Sequence, residues 1–418
     1  MNKLHSIIIS SLFVCAICVP GLLWIFSDTQ DISEQEKRRL ASFPKVSFDK
    51  SLLMEFPKQF DQYFNDHYGL RSKLIDLNQS WKSTLFNKSP TRIVIRGEQD
   101  WLFLDAKRSL SDHVGLIKLD DNVLPLWKQH LFNKQTWLNS LGIEYLLVPV
   151  PNKMNIYSEN LPRRIRNHSG LTMLDKLVST LKTEKTYDDF VELKPVLKEQ
   201  KFSGPQQLQS KLSKDIKAED LYFHQDTHWT SLGAFLSYQH IMQQLQRLLP
   251  TLEPAITFDQ LDANKRDKKA DIARMISIID PEKYHRLEPK NRCAPKKPQT
   301  VSSFQETNAY KLRPKTLPTK TGCAKKSLRA VIVKDSFGAY IQPFFAESFQ
   351  EVVFMHSYDL IGMESFLRDF KPDVYIDIRS ERNIKYLLAP NQRLQDAVAS
   401  LKPSPHKQSP LKKKTDEQ

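Results

Sequence analysis

The chain has 418 residues, 40% of them hydrophobic, and carries 62 Lys and Arg against 48 Asp and Glu, a net charge of +14. This length can build one large hydrophobic core or two modest ones, and no internal repeat indicates a repeat protein. A basic balance is common among nucleic-acid-binding proteins, but no basic motif with interleaved aromatic residues occurs, so we expect no nucleic-acid partner. An anionic polysaccharide or phospholipid headgroups fit the charge better, and a basic surface without a partner is the alternative.

The first apolar segment covers residues 6–26 and contains no charged residue. A helix needs about 20 apolar residues to cross a bilayer, so this segment predicts a single membrane-spanning helix. Lys3 precedes the segment and acidic residues follow it, which places the amino terminus in the cytoplasm. A cleaved signal peptide is the alternative, although no Ala-x-Ala cleavage site is found. Both interpretations export the rest of the chain.

Beyond this segment, short apolar runs alternate with helical patterns. The predicted strands are residues 143–150, 186–191, 330–333, 351–354 and 373–378. The predicted helices are residues 124–141, 171–181, 231–249, 339–350, 358–370 and 391–401. This alternation is typical of an α/β domain in which helices cover both faces of a mostly parallel sheet. Two polar stretches without periodicity, residues 201–217 and 281–326, are predicted to be insertions or loops.

Ser336 lies between a predicted strand and a predicted helix. A serine at such a turn points its hydroxyl out of the carboxyl edge of the sheet, where free N–H groups of the helix can stabilise an oxyanion. This position favours a nucleophile. The alternative is a helix cap, because Asp335 and Ser336 are also common residue types before a helix, where their side chains satisfy the first N–H groups.

The segment from His224 to Trp229 supplies an acid and a base. Asp226 and His228 lie two residues apart, so that His228 can deprotonate a serine while Asp226 orients the imidazole. His224, Asp226 and His228 also alternate, and on an extended backbone they would face one side as metal ligands. We expect no metal, because no fourth ligand is obvious nearby.

These segments resemble the SGNH-hydrolase-like domain of the bacterial alginate O-acetyltransferase family, which includes the DHHW and alginate O-acetylation proteins. The resemblance runs from about residue 36 to residue 401 and rests on the order and spacing of short motifs. They are Gly-Glu-Gln-Asp-Trp-Leu-Phe at 97–103, Pro-Asn-Lys at 151–153 with a later Tyr, Asp-Thr-His-Trp at 226–229, Asp-Ile-Ala-Arg-Met at 271–275 and Asp-Ser-Phe at 335–337. Asp100 stands where the family has Gly, and Lys334 stands where it often has a small residue.

The resemblance implies a three-layer α/β/α domain in which the catalytic Asp and His precede the Ser. Carried over by position, Ser336 is the nucleophile, His228 the base and Asp226 the orienting acid. The implied activity is a serine-dependent O-acetyltransferase that needs no cofactor and acetylates hydroxyls of an alginate-like exopolysaccharide through an acetyl-serine intermediate. A membrane-bound O-acyltransferase is the implied supplier of acetyl groups. A polysaccharide acetyl esterase with the same three residues and a non-catalytic polysaccharide-binding assembly protein are the alternatives.

Further candidates, for substrate binding, are Lys153, Tyr157, Trp229, Lys334, Arg379 and Arg382. The first two follow the predicted strand 143–150, at the edge where a parallel sheet places ligands, and the two arginines follow the last strand at the same edge. Trp229 could stack on a sugar or belong to the core. Lys334, beside the candidate nucleophile, could crowd the site or bind an anionic substrate.

Cys293 and Cys323 flank a stretch rich in Pro and Lys, and in an exported protein they predict a disulfide, with two free thiols as the alternative. The predicted organisation is an anchor or signal peptide at 1–27, a linker at 28–58, an acetyltransferase domain at 59–401 with an insertion at about 281–326, and a disordered basic tail at 402–418. One helix is predicted to hold the protein in a bacterial inner membrane, with the catalytic domain in the periplasm.

Overall fold

The computed structural model describes residues 3–25, 32–33, 38–44, 50–68, 70–71, 73–74, 91–182, 189–212, 220–301, 317–356 and 359–401. The tail predicted at 402–418 lies outside these described residues.

The chain forms twelve described strands and a larger number of helices. The strands are β1 (Ile32–Ser33), β2 (Arg38–Arg39), β3 (Val94–Arg96), β4 (Leu102–Leu104), β5 (Glu144–Val150), β6 (Leu261–Lys268), β7 (Glu282–Pro289), β8 (Gln299–Thr300), β9 (Thr319–Thr321), β10 (Arg329–Lys334), β11 (Glu351–Met355) and β12 (Val374–Ser380). The α-helices are Lys3–Ile25, Lys50–His67, Ser109–His113, Val123–Ser140, Lys153–Ile156, Arg163–Arg166, Met173–Lys182, Leu193–Leu212, Ser231–Leu248, Asp271–Met275, Gly338–Ala346, Glu364–Phe370, Ile384–Leu387 and Gln392–Ala399. Short 3-10 turns occur at Ser158–Asn160, Phe258–Gln260, Ile361–Met363 and Glu381–Asn383.

The centre of the fold is a six-stranded mixed sheet with the strand order β5-β12-β10-β11-β9-β8. The first four strands run parallel, whereas β9 and β8 extend the sheet in antiparallel pairings. The predicted α/β fold is therefore confirmed, with a mixed sheet whose central part is parallel. The carboxyl ends of β5, β12 and β10 lie side by side, and this edge carries the candidate site.

Both faces of the sheet are covered, which explains why the parallel strands read as unbroken apolar runs. Side chains of a strand alternate between faces, so Leu146 and Ile332 join one core cluster while Leu147 and Val331 join another. The first cluster includes buried residues of the helices Ser231–Leu248 and Gly338–Ala346. The second includes buried residues of the helices Val123–Ser140 and Met173–Lys182. The result is a three-layer arrangement of helices, sheet and helices.

Most predicted elements are found within a few residues of their expected bounds, but one predicted strand and both predicted loops differ from the structure. The strand predicted at 186–191 is reduced, in its described part, to an isolated bridge between Phe190 and Leu147. The loop predicted at 201–217 begins instead as the end of the helix Leu193–Leu212. Its buried Gly204 packs so closely on Leu236 that a Cβ atom there would lie 2.7 Å from Leu236 Cδ1. Tertiary packing thus stabilises a helix that its local sequence pattern did not indicate.

The insertion predicted at 281–326 also contains regular structure in its described part. β7 pairs antiparallel with β6 over eight residue pairs, and β8 and β9 join the central sheet. The residues of β7, β8 and β9 are mostly polar, and these strands pair with segments that are distant in sequence or also polar. Their sequences therefore lack the apolar run or alternation by which a strand is normally predicted. Cys293 and Cys323 form a disulfide with Cα atoms 5.0 Å apart, as predicted.

The helix Lys3–Ile25 covers most of the apolar amino-terminal segment. Among the described residues, no helix combines the length and the apolar character required to cross a membrane. The membrane-spanning helix predicted over residues 6–26 is therefore not supported.

Candidate active site

Ser336 lies in the turn between β10 and the helix Gly338–Ala346, and it is exposed. The neighbouring Asp335 carboxylate holds this turn in place. It accepts hydrogen bonds from the Phe337 N–H (3.1 Å), the Ser380 N–H (2.8 Å) and the Asn383 amide (3.0 Å). Burial alone would raise the pKa of Asp335, but the hydrogen bonds from Ser380 and Phe337 outweigh it and keep that pKa below its ordinary value. The end of β12 thereby fixes the serine-bearing turn of β10.

His228 and Asp226 lie directly beside this serine. His228 Nε2 is 2.7 Å from Ser336 Oγ, and His228 Nδ1 is 2.6 Å from Asp226 Oδ1. Because an ionised carboxylate only accepts hydrogen bonds, Nδ1 carries the ring proton and the Nε2 lone pair faces the serine hydroxyl. The structure therefore brings together the three residues that the sequence singled out, in the order serine, imidazole, carboxylate.

Asp226 is completely buried, and its carboxylate is satisfied on both oxygens. Oδ1 also accepts the His228 N–H at 3.1 Å, while Oδ2 accepts the Asp271 N–H at 2.8 Å and lies 3.4 Å from Lys268 Nζ. Burial by itself would raise the pKa of Asp226. The hydrogen bond from the His228 imidazole, the positive charge that this ring carries when protonated, and the nearby Lys268 ammonium hold that pKa well below its usual range. Asp226 is thus an ionised, immobile partner for the imidazole.

Lys153 holds the loop of Asp226 by hydrogen bonds to its main chain. Its Nζ donates to the main-chain oxygens of Phe223 (2.9 Å), His224 (2.8 Å) and Asp226 (2.7 Å). All three ammonium protons are engaged in this way, and the residue is buried. Burial lowers the pKa of Lys153 to about 7, against the opposing charges of nearby acids. These contacts favour a positioning role over the substrate contact expected from the sequence.

Tyr157 and Trp229 are also buried, which argues against direct stacking on a sugar. The Tyr157 hydroxyl accepts the Leu221 N–H at 2.8 Å, and the ring stacks on Trp101 with centroids 4.4 Å apart. Trp229 is fully buried, and its indole N–H donates to the Phe337 carbonyl at 2.9 Å. Of the two roles considered for Trp229, stacking on a sugar or packing in the core, the structure favours packing in the core. Its hydrogen bond joins the segment of His228 to the turn of Ser336.

The alternation of His224, Asp226 and His228 does not produce a shared metal site. His224 turns away, stacks on Trp101 with centroids 4.3 Å apart and pairs with Asp220 at 2.7 Å. Carboxylate and imidazole atoms of Asp226, His228 and Asp271 do lie within 4.8 Å of one another. Their hydrogen bonds to one another, to Ser336 and to Thr227 account for this closeness.

The helix after Ser336 does not present the free N–H groups expected from the sequence. The N–H groups of Phe337 and Gly338 both donate to Asp335, and that of Ala339 donates to the Ser336 carbonyl. Within the described residues, the N–H of Ser336 itself has no hydrogen-bond acceptor. It is thus the remaining backbone donor at the nucleophile.

Lys334 and Arg379 lie at the same edge, both more than nine-tenths buried. Gly338 makes room for Lys334, because a Cβ atom at position 338 would lie 2.1 Å from Lys334 Cδ. Burial lowers the pKa of Lys334 to about 8, and Arg379 acts in the same direction. Arg382 is half-buried, and its guanidinium lies 5.5 Å from the centre of the Phe337 ring. All three cations therefore adjoin the turn of the nucleophile.

Two supporting residues had no signal in the sequence. Lys268 reaches Asp226 from the end of β6, a strand that the polar sequence did not indicate, and Asn383 reaches Asp335 from the turn after β12. The pairing of β6 with β7 reveals Lys268, and the approach of the turn after β12 to Asp335 reveals Asn383.

Comparison with solved structures finds similar chains of low sequence identity. PatB1 of Bacillus cereus is 16% identical, with 70% of this chain and 97% of that chain covered at a TM-score of 0.48. The O-acetyltransferase domain of Pseudomonas putida AlgJ is 15% identical, with coverage of 74% and 99% at a TM-score of 0.44. AlgX of Pseudomonas aeruginosa is 14% identical, with coverage of 73% and 67% at a TM-score of 0.43. No curated protein matches the chain.

A family model is more specific. Residues 94–312, just over half of the chain, match the model described as the SGNH hydrolase-like domain of the acetyltransferase AlgX. The matched range contains Asp226 and His228 and ends before Ser336, whose assignment rests on the turn and the contacts described above. The chain belongs to the family of AlgX-type SGNH hydrolase-like acetyltransferase domains.

Proposed function

We propose that this protein is an O-acetyltransferase that moves an acetyl group onto a hydroxyl of an exopolysaccharide, with Ser336 as the nucleophile. The hydrogen-bonded chain from Ser336 through His228 to Asp226 is the observation that carries the proposal. A neutral imidazole with its free lone pair on a serine hydroxyl, backed by a buried carboxylate, is the arrangement that activates serine for acyl transfer.

In the first half-reaction, Ser336 Oγ attacks the acetyl carbonyl while His228 Nε2 takes the hydroxyl proton. The imidazolium is stabilised by Asp226 and then gives its proton to the departing donor oxygen, leaving an acetyl ester on Ser336. In the second half-reaction, His228 takes the proton of a sugar hydroxyl, which attacks the ester, and then returns that proton to Ser336. The Ser336 N–H is a candidate donor to the oxyanion in both steps, because the next three N–H groups are already engaged.

The proposed function includes a cellular compartment, an acceptor and a supplier of acetyl groups. The Cys293–Cys323 disulfide supports an oxidising location, and we propose the bacterial periplasm. A polysaccharide acceptor suits the basic chain. The acetyl donor is proposed to come from a membrane-bound O-acyltransferase, as the resemblance to the alginate O-acetylation proteins implies.

The test is acetylation of the protein by a small activated acetyl ester, followed by intact-mass measurement. We expect one acetyl adduct on the wild-type protein, no adduct on Ser336→Ala, and an unchanged adduct on Ser179→Ala, which removes an exposed helical serine. An adduct of equal yield on Ser336→Ala would contradict the assignment of the nucleophile. A folded wild-type protein that forms no adduct and turns over no ester would favour a non-catalytic, polysaccharide-binding role.

A polysaccharide acetyl esterase is the second candidate, because Ser336 is exposed and water can reach an acetyl ester formed there. Both activities use the same three residues and differ only in the group that takes the acetyl. Measuring acetyl transfer to oligosaccharide against release of acetate, in one reaction, separates them. Predominant transfer supports the transferase, and acetate release unaffected by acceptor supports the esterase.

A further inference from the structure

A polar cleft of about 530 Å³ opens between the helices Met173–Lys182 and Leu193–Leu212. Among the described residues that line it, none belongs to the hydrogen-bonded chain of Ser336, His228 and Asp226. Its volume lies within the range of small-molecule sites, roughly 300 to 1,000 Å³. The cleft is therefore large enough for a ligand of its own.

The hydrogen bonds of His113, a buried residue in the lining of this cleft, fix which ring nitrogen is free for a ligand. The Asn155 amide nitrogen donates to a Glu381 carboxylate oxygen at 2.6 Å, so Asn155 Oδ1 faces His113. This oxygen lies 2.6 Å from His113 Nδ1, which therefore carries the ring proton. Burial lowers the pKa of His113, so the ring is neutral at pH 7 and Nε2 is an acceptor.

His113 Nε2 has no hydrogen-bond partner within the described part of the chain, although only 3% of the residue is exposed. Buried polar atoms are nearly always hydrogen-bonded, because an unpaired one loses its interaction with water and gains no other. A free acceptor in the lining of a cleft indicates a ligand that brings a donor. A hydroxyl group meets this requirement, whereas an ionised carboxylate brings only acceptors.

Lys198 supplies a donor to the same cleft, and its side chain is exposed. The acids that act on its ammonium are engaged by other lysines. Lys194 donates to both oxygens of Asp175, at 2.8 and 2.7 Å, and Lys201 donates to Glu159 at 2.8 Å. The Lys198 ammonium is thus available to a ligand oxygen. Several hydroxyls on one ligand satisfy both this donor and the imidazole acceptor, because each hydroxyl donates and accepts.

Phe202 adds an aromatic surface beside the cleft. It lies four residues after Lys198 on the helix Leu193–Leu212, so the two side chains share one face of that helix. Phe202 is 71% exposed. The apolar face of a pyranose ring can pack on such a ring while its hydroxyls form hydrogen bonds at the edge. Together the acceptor, the donor and the aromatic ring fit a sugar.

The walls of the cleft are fixed before any ligand binds. The Gly170 N–H donates to the His113 carbonyl at 2.9 Å, and a Cβ atom at position 170 would lie 2.7 Å from Gly115 Cα. Asp112 accepts the Met173 N–H at 2.8 Å and holds the start of that helix. A preformed site loses less conformational entropy on binding, which favours affinity.

We propose that this cleft binds a sugar unit of the polysaccharide through its hydroxyls, with His113 accepting, Lys198 donating and Phe202 packing against the ring. The inference rests on the proposed function and deepens it, because it gives the polymer a second attachment site, separate from the hydroxyl that reacts at Ser336. Attachment there keeps the polymer close to the enzyme between acetyl transfers.

Calorimetric titration of the full chain with cellotetraose, a neutral oligosaccharide of linked pyranoses, tests the site without catalysis. We expect the wild-type protein to bind it, and Phe202→Ala and Lys198→Met each to weaken the affinity about fivefold or more. Phe132→Ala and Lys118→Met change exposed residues outside the described lining of the cleft and should leave the affinity unchanged. All four side chains are exposed, so we expect the variants to fold.

His113 is buried, so its role is measured without substitution. In protein that carries isotope-labelled histidine, the NMR signal of His113 Nε2 should shift on saturation with cellotetraose, because a hydroxyl then donates to its lone pair. An unmoved signal would overturn the proposal. So would a lack of binding, or an affinity that is the same in the wild-type protein, Phe202→Ala and Lys198→Met.

Failure of the proposed function is recognised separately. Phe202→Ala and Lys198→Met lie outside the residues assigned to acyl transfer, so both should form the acetyl adduct as the wild-type protein does. A wild-type protein that forms no adduct contradicts the transferase. Loss of sugar binding with an unchanged adduct contradicts only the cleft.

Discussion

The Nζ atom of Lys153 lies 2.7 Å from the main-chain oxygen of Asp226, so the first residue of the helix after β5 holds the loop that carries the acid of the site. Two further carbonyl groups of the same loop accept from this ammonium. Lys153→Met keeps the aliphatic stem but leaves three buried carbonyls without a donor. We expect the free energy of unfolding to fall by about 3 kcal/mol or more, with loss of acetyl transfer.

Chemical denaturation and activity measured on the same preparations check this prediction. Lys176→Met is the matched control, because Lys176 donates to a single carbonyl, that of Ile117, away from the site. It should lose only about 1 kcal/mol and keep its activity. If Lys153→Met kept wild-type stability and activity, the loop of Asp226 would not depend on the hydrogen bonds from Lys153.

Lys268 places a positive charge 3.4 Å from Asp226 Oδ2 and helps to hold the pKa of that carboxyl group below its ordinary value. Lys268→Gln removes this charge, so the Asp226 carboxylate is protonated, and the site inactivated, at a higher pH than in the wild-type protein. The acid limb of the pH–activity profile should therefore move to higher pH by about half a unit, and high salt should reduce the difference. Lys269→Gln, one residue further and exposed, is the control and should not move it.

Asp112 is buried, and burial raises the pKa of its carboxyl group to about 6. Because the folded state then binds the proton more tightly than the unfolded chain, the stabilisation is complete below about pH 4 and is lost as the pH rises through about 6. Asp112→Asn removes this loss. The variant minus wild-type difference in unfolding free energy should grow from near zero at pH 4 to about 3 kcal/mol at pH 7.

Urea unfolding at several pH values between 4 and 7 measures this difference directly. Asp121→Asn, which alters an exposed carboxylate, should show little pH-dependent change. A constant difference for Asp112→Asn across this range would mean that Asp112 is ionised equally easily in the folded and unfolded chain.

The Cys293–Cys323 disulfide closes a loop with a sequence separation of 30. Replacing both cysteines by serine should lower the free energy of unfolding by about 3 to 4 kcal/mol, the entropy that such a cross-link removes from the unfolded chain. Cys15→Ser changes a free cysteine and serves as the control. If reductant lowers the stability of the double serine variant as much as that of the wild-type protein, the effect does not come from this bond.

The central architecture and the turn of the nucleophile follow from local patterns in the sequence. β5, β10, β11 and β12 are buried on both faces, so each reads as a continuous apolar run that needs no knowledge of its neighbours. The position of Ser336 can also be predicted locally, because Asp335 and Ser336 form a polar pair between an apolar run and a helix. Asp226 and His228 are indicated by their short-range spacing and by the resemblance of several ordered motifs.

Which side chains meet, and which are withdrawn from solvent, depends on how the distant segments pack together. His228 and Ser336 are 108 residues apart in the chain and meet because Trp229 and Phe337 join their segments. Lys153, Tyr157 and Trp229 lie at or next to the sheet edge where the sequence predicts a ligand. All three are buried, and their hydrogen bonds hold the loops of the site instead of facing a substrate. Burial and the pairing of polar strands such as β6 and β7 depend on residues far away in sequence, and no local pattern of charge or hydrophobicity encodes them.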